Sequence, residues 1–180
     1  MTKLFKTIVA DPPWEPALGS TWNTRFTDKA RPQKHYPVVS LDELKLIHPP
    51  SEPQSHLYLW VLNQHVDWGY ELARAWGFEP QQMITWMKPG LGAGRFQCNT
   101  ESFLVCRRGS RHGNPFGMTG GTGFSWPRGR HSEKPGDFFD LVERVSPGPY
   151  LELFSRSPRL GWTCWGNEVP DIGLVFQGAS

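Results

Sequence analysis

The sequence predicts an α/β fold with a largely parallel sheet flanked by helices. Three observations carry this. Short β-rich apolar runs recur along the chain: LFKTIVA, HLYLWVL, QQMITWMK, ESFLVCRR, PYLELFS and WTCWGNE. Segments with apolar residues at helical spacing fall between several of them, the alternation expected of strands joined by crossover helices. The length, 180 residues, suits one domain with a sizeable core, and a second domain is not expected.

LFKTIVA reads as a buried strand that stops at Asp11. Residues 15–37 are irregular, polar and basic, and a loop of that length in a compact domain usually serves function. SLDELKLI opens with Ser40 and Glu43 at capping-box spacing, so a short helix is expected, broken by HPPSEP. HLYLWVL is continuously apolar, the pattern of a strand covered on both faces. QHVDWGYELARAWG places Val66, Gly69, Leu72, Ala73 and Trp76 on one helical face, with Gly77 as its stop. QQMITWMK and ESFLVCRR are two further strands, joined by a Gly-rich connection over 89–100. A second Gly-rich loop covers 109–130. Ser132 is placed to cap a helix that begins near Pro135 and runs through DFFDLVERV. PYLELFS and WTCWGNE complete the strands.

Nine Trp and eleven Phe, set among seventeen Pro and nineteen Gly, describe an aromatic core with long loops and exclude both a helical bundle and a disordered chain. The net charge of +2 says little, but its distribution is uneven. Arg25, Lys29, Arg31 and Lys34 face one acid, Asp28. Lys88, Arg95, Arg107, Arg108, Arg111, Arg128 and Arg130 face one acid, Glu101. Such stretches are either a polyanion-binding surface or ordinary solvated charge. Cys98, Cys106 and Cys164 have neither metal-ligand spacing nor the even count of a disulfide framework, and the six His are scattered, so no metal is expected. With no leader and no membrane-length apolar run, the expected setting is cytoplasmic.

Ligands of open α/β sheets bind beyond the carboxyl ends of the strands. Asp11-Pro12-Pro13-Trp14 falls at such an end. The carboxylate accepts hydrogen bonds, the prolines stiffen the backbone and lack N–H groups, and Trp14 offers a flat ring. An acceptor carboxylate, an outward carbonyl and a stacking ring suit a planar group with an exocyclic amine, of which adenine is one. Acceptors on the amine hydrogens would localise its lone pair for attack on an electrophile. In HSEKP, Lys134 adds positive charge at a helix start, fitting a carboxylate or phosphate. In LELFSR, Glu152 is an acid in an apolar strand, either binding ribose hydroxyls or pairing with Arg156. Asn167 and Glu168 either bind the polar edges of a nucleoside or cap the strand end.

Together DPPW, HSEKP, LELFSR and the GW and WGNE segments resemble the MT-A-seventy (METTL-type) adenine-N6 methyltransferases, from about Ile8 to Glu168. The resemblance implies a Rossmann-like class I methyltransferase fold in permuted order, the catalytic motif preceding the cofactor motif. It implies S-adenosylmethionine as methyl donor, S-adenosylhomocysteine as product, and adenine N6 in a polynucleotide as acceptor. Asp11 and the Pro12 carbonyl would hold the amine, within the stiff Pro12-Pro13 unit, and Trp14 would stack on the base. Asp11, His131, Lys134, Glu152, Phe154, Arg156, Asn167 and Glu168 would bind the cofactor. Tyr36, Trp60 and Trp86 fall where the family lines the target-base pocket, although core packing explains the two tryptophans equally well. Loops 15–37 and 89–100 match the family's mobile active-site loops, so Arg25, Lys29, Arg31, Lys34, Lys88 and Arg95 become candidate phosphate contacts. The target base would be flipped or single-stranded.

The family often carries a further strand before the motif. Here Asp11 is preceded by ten residues, so adenine binding is expected either to be weaker or to be completed by the DIGLVFQGAS tail or by a partner subunit. The compact motifs look most like the bacterial and phage branch. DNA is therefore the expected substrate, RNA the alternative, and a homodimer or partner subunit is open. A non-catalytic nucleic-acid-binding subunit is disfavoured by the intact motifs. Methylation of cytosine N4 or a protein amide is disfavoured by Asp11, where such motifs commonly begin with Ser or Asn.

Overall fold

The computed structural model describes residues 3–14, 39–91, 97–113, 115–118, 120–128, 134–167 and 169. Among them, seven strands form one sheet in the order β5-β3-β4-β2-β1-β6-β7. β1 (Phe5–Ala10) is central, parallel to β2 (Ser51–Val61) on one side and to β6 (Tyr150–Leu153) on the other. A strand covered on both faces has no wet side, and every β1 residue except Lys6 is buried. β7 (Trp162–Trp165) continues the parallel set beside β6. β3 (Glu79–Met87) and the short edge strand β5 (Gly123–Phe124) are also parallel to each other.

β4 (Thr100–Arg108) is the exception, running antiparallel to both β2 and β3. The sequence shows no helix between QQMITWMK and ESFLVCRR, and neighbouring strands joined without a crossover element pair antiparallel. β2 begins earlier than the apolar run predicts, at Ser51, so the SEP of HPPSEP belongs to the strand and not to the break after α1.

α1 (Leu41–Leu46) carries the expected capping box: the Glu43 N–H donates to Ser40 Oγ at 3.3 Å, and the Ser40 N–H donates to Glu43 Oε2 at 2.9 Å. α2 (Val66–Ala75) ends at Gly77, whose φ of +79° suits a residue without Cβ. Both helices cover one face of the sheet, where Leu44, Leu72 and Ala73 pack on Ile8, Leu57, Leu59 and Leu104. α3 (Gly136–Val145) covers the other, driving Phe138, Phe139, Leu141 and Val142 against Tyr58, Trp60, Trp86 and Phe103. Each large apolar side chain buried this way contributes roughly 1.5–3 kcal/mol. Ser132 lies outside the described residues, and the position that opens α3 is Pro135 itself, without a side-chain cap.

β2 and β6 flank β1, and the helices that precede them, α1 and α3, lie on opposite faces. The chain therefore reverses its winding beside β1, which opens a crevice at the carboxyl ends of β1 and β6. This doubly wound sheet is consistent with a Rossmann-like methyltransferase fold. No helix among the described residues is long and apolar enough to cross a membrane.

Candidate active site

The crevice begins where β1 stops. Asp11 follows Ala10 on the α3 side, half-buried, and the two prolines fix φ in the tight turn beyond it. Their carbonyls, expected to point outward, each already accept a backbone hydrogen bond. The Trp14 N–H donates to Pro12 O at 2.8 Å, and the Val39 N–H donates to Pro13 O at 3.2 Å. Each carbonyl keeps a second lone pair, so Pro12 can still accept one further hydrogen bond.

Trp14 corrects a second expectation. It does not offer an open face for a base. The ring is 7% exposed, packs in the α1/α2-side core, and its Nε1–H donates to Trp60 O at 3.0 Å. The reason is strand alternation: Asp11 points to the α3 side, and the turn carries Trp14 back to the opposite face.

Lys134 enters from the start of α3 and joins two carboxylates. Its Nζ lies 3.0 Å from Asp11 Oδ2 and 3.2 Å from Glu101 Oε2. It also sits 4.5 Å above the centroid of the Trp60 ring, a cation–π contact. Glu101, on β4, takes Lys88 Nζ on its other oxygen at 2.8 Å. The result is one alternating chain of charges, Asp11, Lys134, Glu101 and Lys88, laid across the ends of four elements. Burial works against the Lys134 charge, but Asp11 and Glu101 more than offset it and hold the ammonium above its ordinary value. Burial likewise disfavours the Glu101 charge, and Lys134 and Lys88 reverse this, holding the carboxyl below the usual carboxylate range.

Trp60 and Trp86 are both buried, packed edge to face at a centroid distance of 6.3 Å. They form the wall under the two lysines, and Trp60 Nε1 has no hydrogen-bond partner among the described residues. Lys88, expected on a phosphate, is committed to Glu101, with its side chain 19% exposed.

Across the crevice, Glu152 stands on β6 in register with Val9, two residues before Asp11. Burial pushes its carboxyl above the usual carboxylate range, against the opposing pull of Ser155 and Arg159. Cys164 Sγ lies 3.8 Å from Glu152 Oε2. The cation acting on Glu152 is Arg159, whose guanidinium stacks 3.6 Å over Phe139. Arg156 and Asn167 are exposed at the ends of β6 and β7. Phe154 holds φ +62°, rare for a residue with a side chain, and meets Trp165 edge to face. Gly166 runs so close behind that an added Cβ would strike the Ser155 carbonyl and lie 2.6 Å from its nitrogen.

The structure thus brings together Asp11, Lys134, Glu152, Trp60, Trp86 and Lys88. His131, Glu168, Tyr36, Arg25, Lys29, Arg31, Lys34, Arg95 and the DIGLVFQGAS tail lie outside the described residues. Sequence reasoning passed over Glu101. Its one signal was to be the lone acid in a basic stretch, placed at the start of a strand.

The geometry agrees with the comparisons. The MT-A70 family model matches residues 5–168. The chain belongs to the MT-A70 family. Among individual proteins it is similar to the type II methyltransferase M.MunI of a Mycoplasma species, 28% identical over 195 residues that cover 98% of this chain and 83% of that protein. It is also similar to the N(6)-adenosine-methyltransferase catalytic subunit METTL3 of Homo sapiens, 27% identical over 183 residues. That match covers 95% of this chain and 29% of METTL3, so the chain spans under a third of this relative.

MT-A70 methyltransferases use S-adenosylmethionine, and the donor set fits it. The molecule carries a carboxylate, an ammonium, a sulfonium and ribose hydroxyls. The crevice offers Lys134 as a cation between carboxylates Asp11 and Glu101, with Glu152 as a further acceptor on the next strand. Among the described residues no group of three or more His, Cys, Asp or Glu is placed to hold a metal ion.

Proposed function

We propose that the chain is an S-adenosylmethionine-dependent methyltransferase acting on N6 of adenine in DNA. The observation that carries this reading is the Asp11–Lys134–Glu101 cluster at the point where the sheet reverses its winding, in a chain matched to MT-A70 over nearly its whole length. When bound, the cofactor supplies an electrophilic methyl group on a sulfonium.

The chain's residues do the rest. Asp11 accepts a hydrogen bond from the adenine amine, and the free lone pair of Pro12 O takes the second amine hydrogen. Both draw the nitrogen lone pair out of conjugation with the ring. Lys134 balances the Asp11 charge and is the donor available to a cofactor carboxylate. Glu152 accepts from ribose hydroxyls. Trp60 and Trp86 wall the crevice and exclude water, which strengthens each of these contacts. Positioning supplies most of the rate, since no covalent enzyme intermediate is needed. His131, Phe154, Arg156, Asn167 and Glu168 complete the cofactor site in this reading, Tyr36 lines the base pocket, and Arg25, Lys29, Arg31, Lys34 and Arg95 contact phosphates.

The test uses radiolabelled S-adenosylmethionine with matched single- and double-stranded DNA and RNA, followed by nucleoside analysis. Label is expected on N6 of adenine in DNA. Label on cytosine, or full activity in Asp11→Ala, would overturn the mechanism. Label on RNA alone would move the substrate to the side of the METTL3-like relatives.

A further inference from the structure

Beyond the base pocket lies an aromatic pair that the proposed chemistry does not use. Phe124 and Trp126 stack on each other with centroids 4.6 Å apart and planes 15° from parallel. Both are only half-buried, at the outermost edge of the sheet. Register explains their side: Phe124 pairs with Trp86, so its ring points to the α3 face that also carries the catalytic cluster. The pair is tied to the site itself, since Trp86 Nε1–H donates to Trp126 O at 2.9 Å and Trp86 packs against Trp60. A path of ring contacts therefore runs from Lys134 over Trp60 and the buried Phe138 to Trp126 and Phe124.

The flank beside the pair is open. Among the described residues, a Cβ added at Gly120 or Gly123 would meet nothing within 4 Å. Arg128 follows two residues after Trp126 and is exposed. Flat rings beside an exposed cation are what a single-stranded polynucleotide needs, one for a base and the other for a phosphate. β5 lies four strand spacings from β1, about 19 Å at 4.7–4.9 Å each. The base reaching it is therefore a few nucleotides from the target.

We propose that Phe124 and Trp126 form a stacking subsite for an unpaired nucleobase flanking the target adenine, with Arg128 on the adjoining phosphate. The inference rests on the nucleic-acid reading above and adds to it where the strand leaves the active site. Stacking of this kind does not select a base, so it fixes the path of the strand and not its sequence.

The probe is single-stranded DNA carrying 2-aminopurine at successive positions on either side of one adenine. Its fluorescence is read with the full chain, and methyl transfer to the same strands is scored separately. Quenching is expected at one flanking position, abolished in Phe124→Leu, with affinity for the strand falling about tenfold. The melting temperature and S-adenosylmethionine binding of that variant should match the parent. Should Phe124→Leu fold poorly, Trp126→Phe keeps a ring in place and should give a partial loss of quenching. Methyl transfer with no Phe124-dependent quenching at any position overturns the subsite and leaves the proposed function standing. Quenching without methyl transfer supports the subsite and overturns the function. Neither signal overturns both.

Discussion

Replacing Lys134 with Met tests whether the charge cluster is what organises the crevice. The Lys134 side chain is 17% exposed and its ammonium touches Asp11 and Glu101, whose side chains are 30% and 32% exposed. Removing one partner of a fully buried pair costs ~3–5 kcal/mol, whereas an exposed pair is worth at most about 1 kcal/mol. With both carboxylates nearly one-third open, the expected loss is about 2 kcal/mol at neutral pH. For a chain of this length that lowers the melting temperature by roughly 4–8 °C.

The pH dependence identifies the cause. In the parent, Glu101 titrates below its ordinary range, so it contributes stability above the unfolded carboxylate pKa and loses it as pH falls through the lowered value. The raised Lys134 pKa contributes stability below the unfolded Lys value, lost only at strongly alkaline pH. The gap between parent and variant should therefore be wide at neutral pH and shrink as pH falls below the ordinary carboxylate range, where Glu101 becomes protonated. Thermal melts across that range measure it. A gap that is absent, or that stays constant with pH, would refute the electrostatic account and leave Lys134 as a packing residue. S-adenosylmethionine titration of the same variant should show loss of binding.

Three further outcomes follow from the same geometry. Glu152→Gln should stabilise the fold by about 1 kcal/mol at neutral pH, because a buried carboxyl with a raised pKa is destabilising when ionised. That gain should vanish as the parent is acidified through the raised pKa, while cofactor affinity falls, read by denaturant melts and calorimetry. Trp14→Phe should cost ~1–2 kcal/mol through the lost donor to the Trp60 carbonyl, with methyl transfer by the folded fraction largely retained. A collapse of turnover at unchanged stability would return the ring to base stacking. Gly166→Ala should destabilise by at least about 2 kcal/mol, since the added Cβ meets backbone and not a movable side chain. A melt within error of the parent would contradict the close approach of β6 and β7.

The fold was legible wherever one residue pattern decides one element. Ser40 and Glu43 named a helix start because both partners of the box lie within four residues. HLYLWVL named a buried strand because no charged residue interrupts its apolar run. The antiparallel β4 was readable in principle from the missing crossover helix. Side-chain direction at the site was not readable. Trp14 belongs to the motif by sequence and to the core by geometry, because one turn after β1 sets which face it meets. Glu101 escaped notice because its partners, Lys88 and Lys134, are 13 and 33 residues away and meet it only once β4 inverts.

The distribution of strain points the same way as the charges. At α1, local preference and tertiary structure agree: cap, box and apolar face all favour one helix. At the end of β6 they conflict. Phe154 sits at φ +62°, Glu152 is an acid held against its preferred ionisation, and Gly166 crowds the backbone behind them. Such conflicts cost of order 1–3 kcal/mol each and persist where the surrounding structure over-determines them. They fall together at the carboxyl ends of β6 and β7, on the side of the sheet next to Asp11. That conflict sits beside the alternating Asp11, Lys134, Glu101 and Lys88 charges, and local rules broken together in this way are the pattern expected at a functional site.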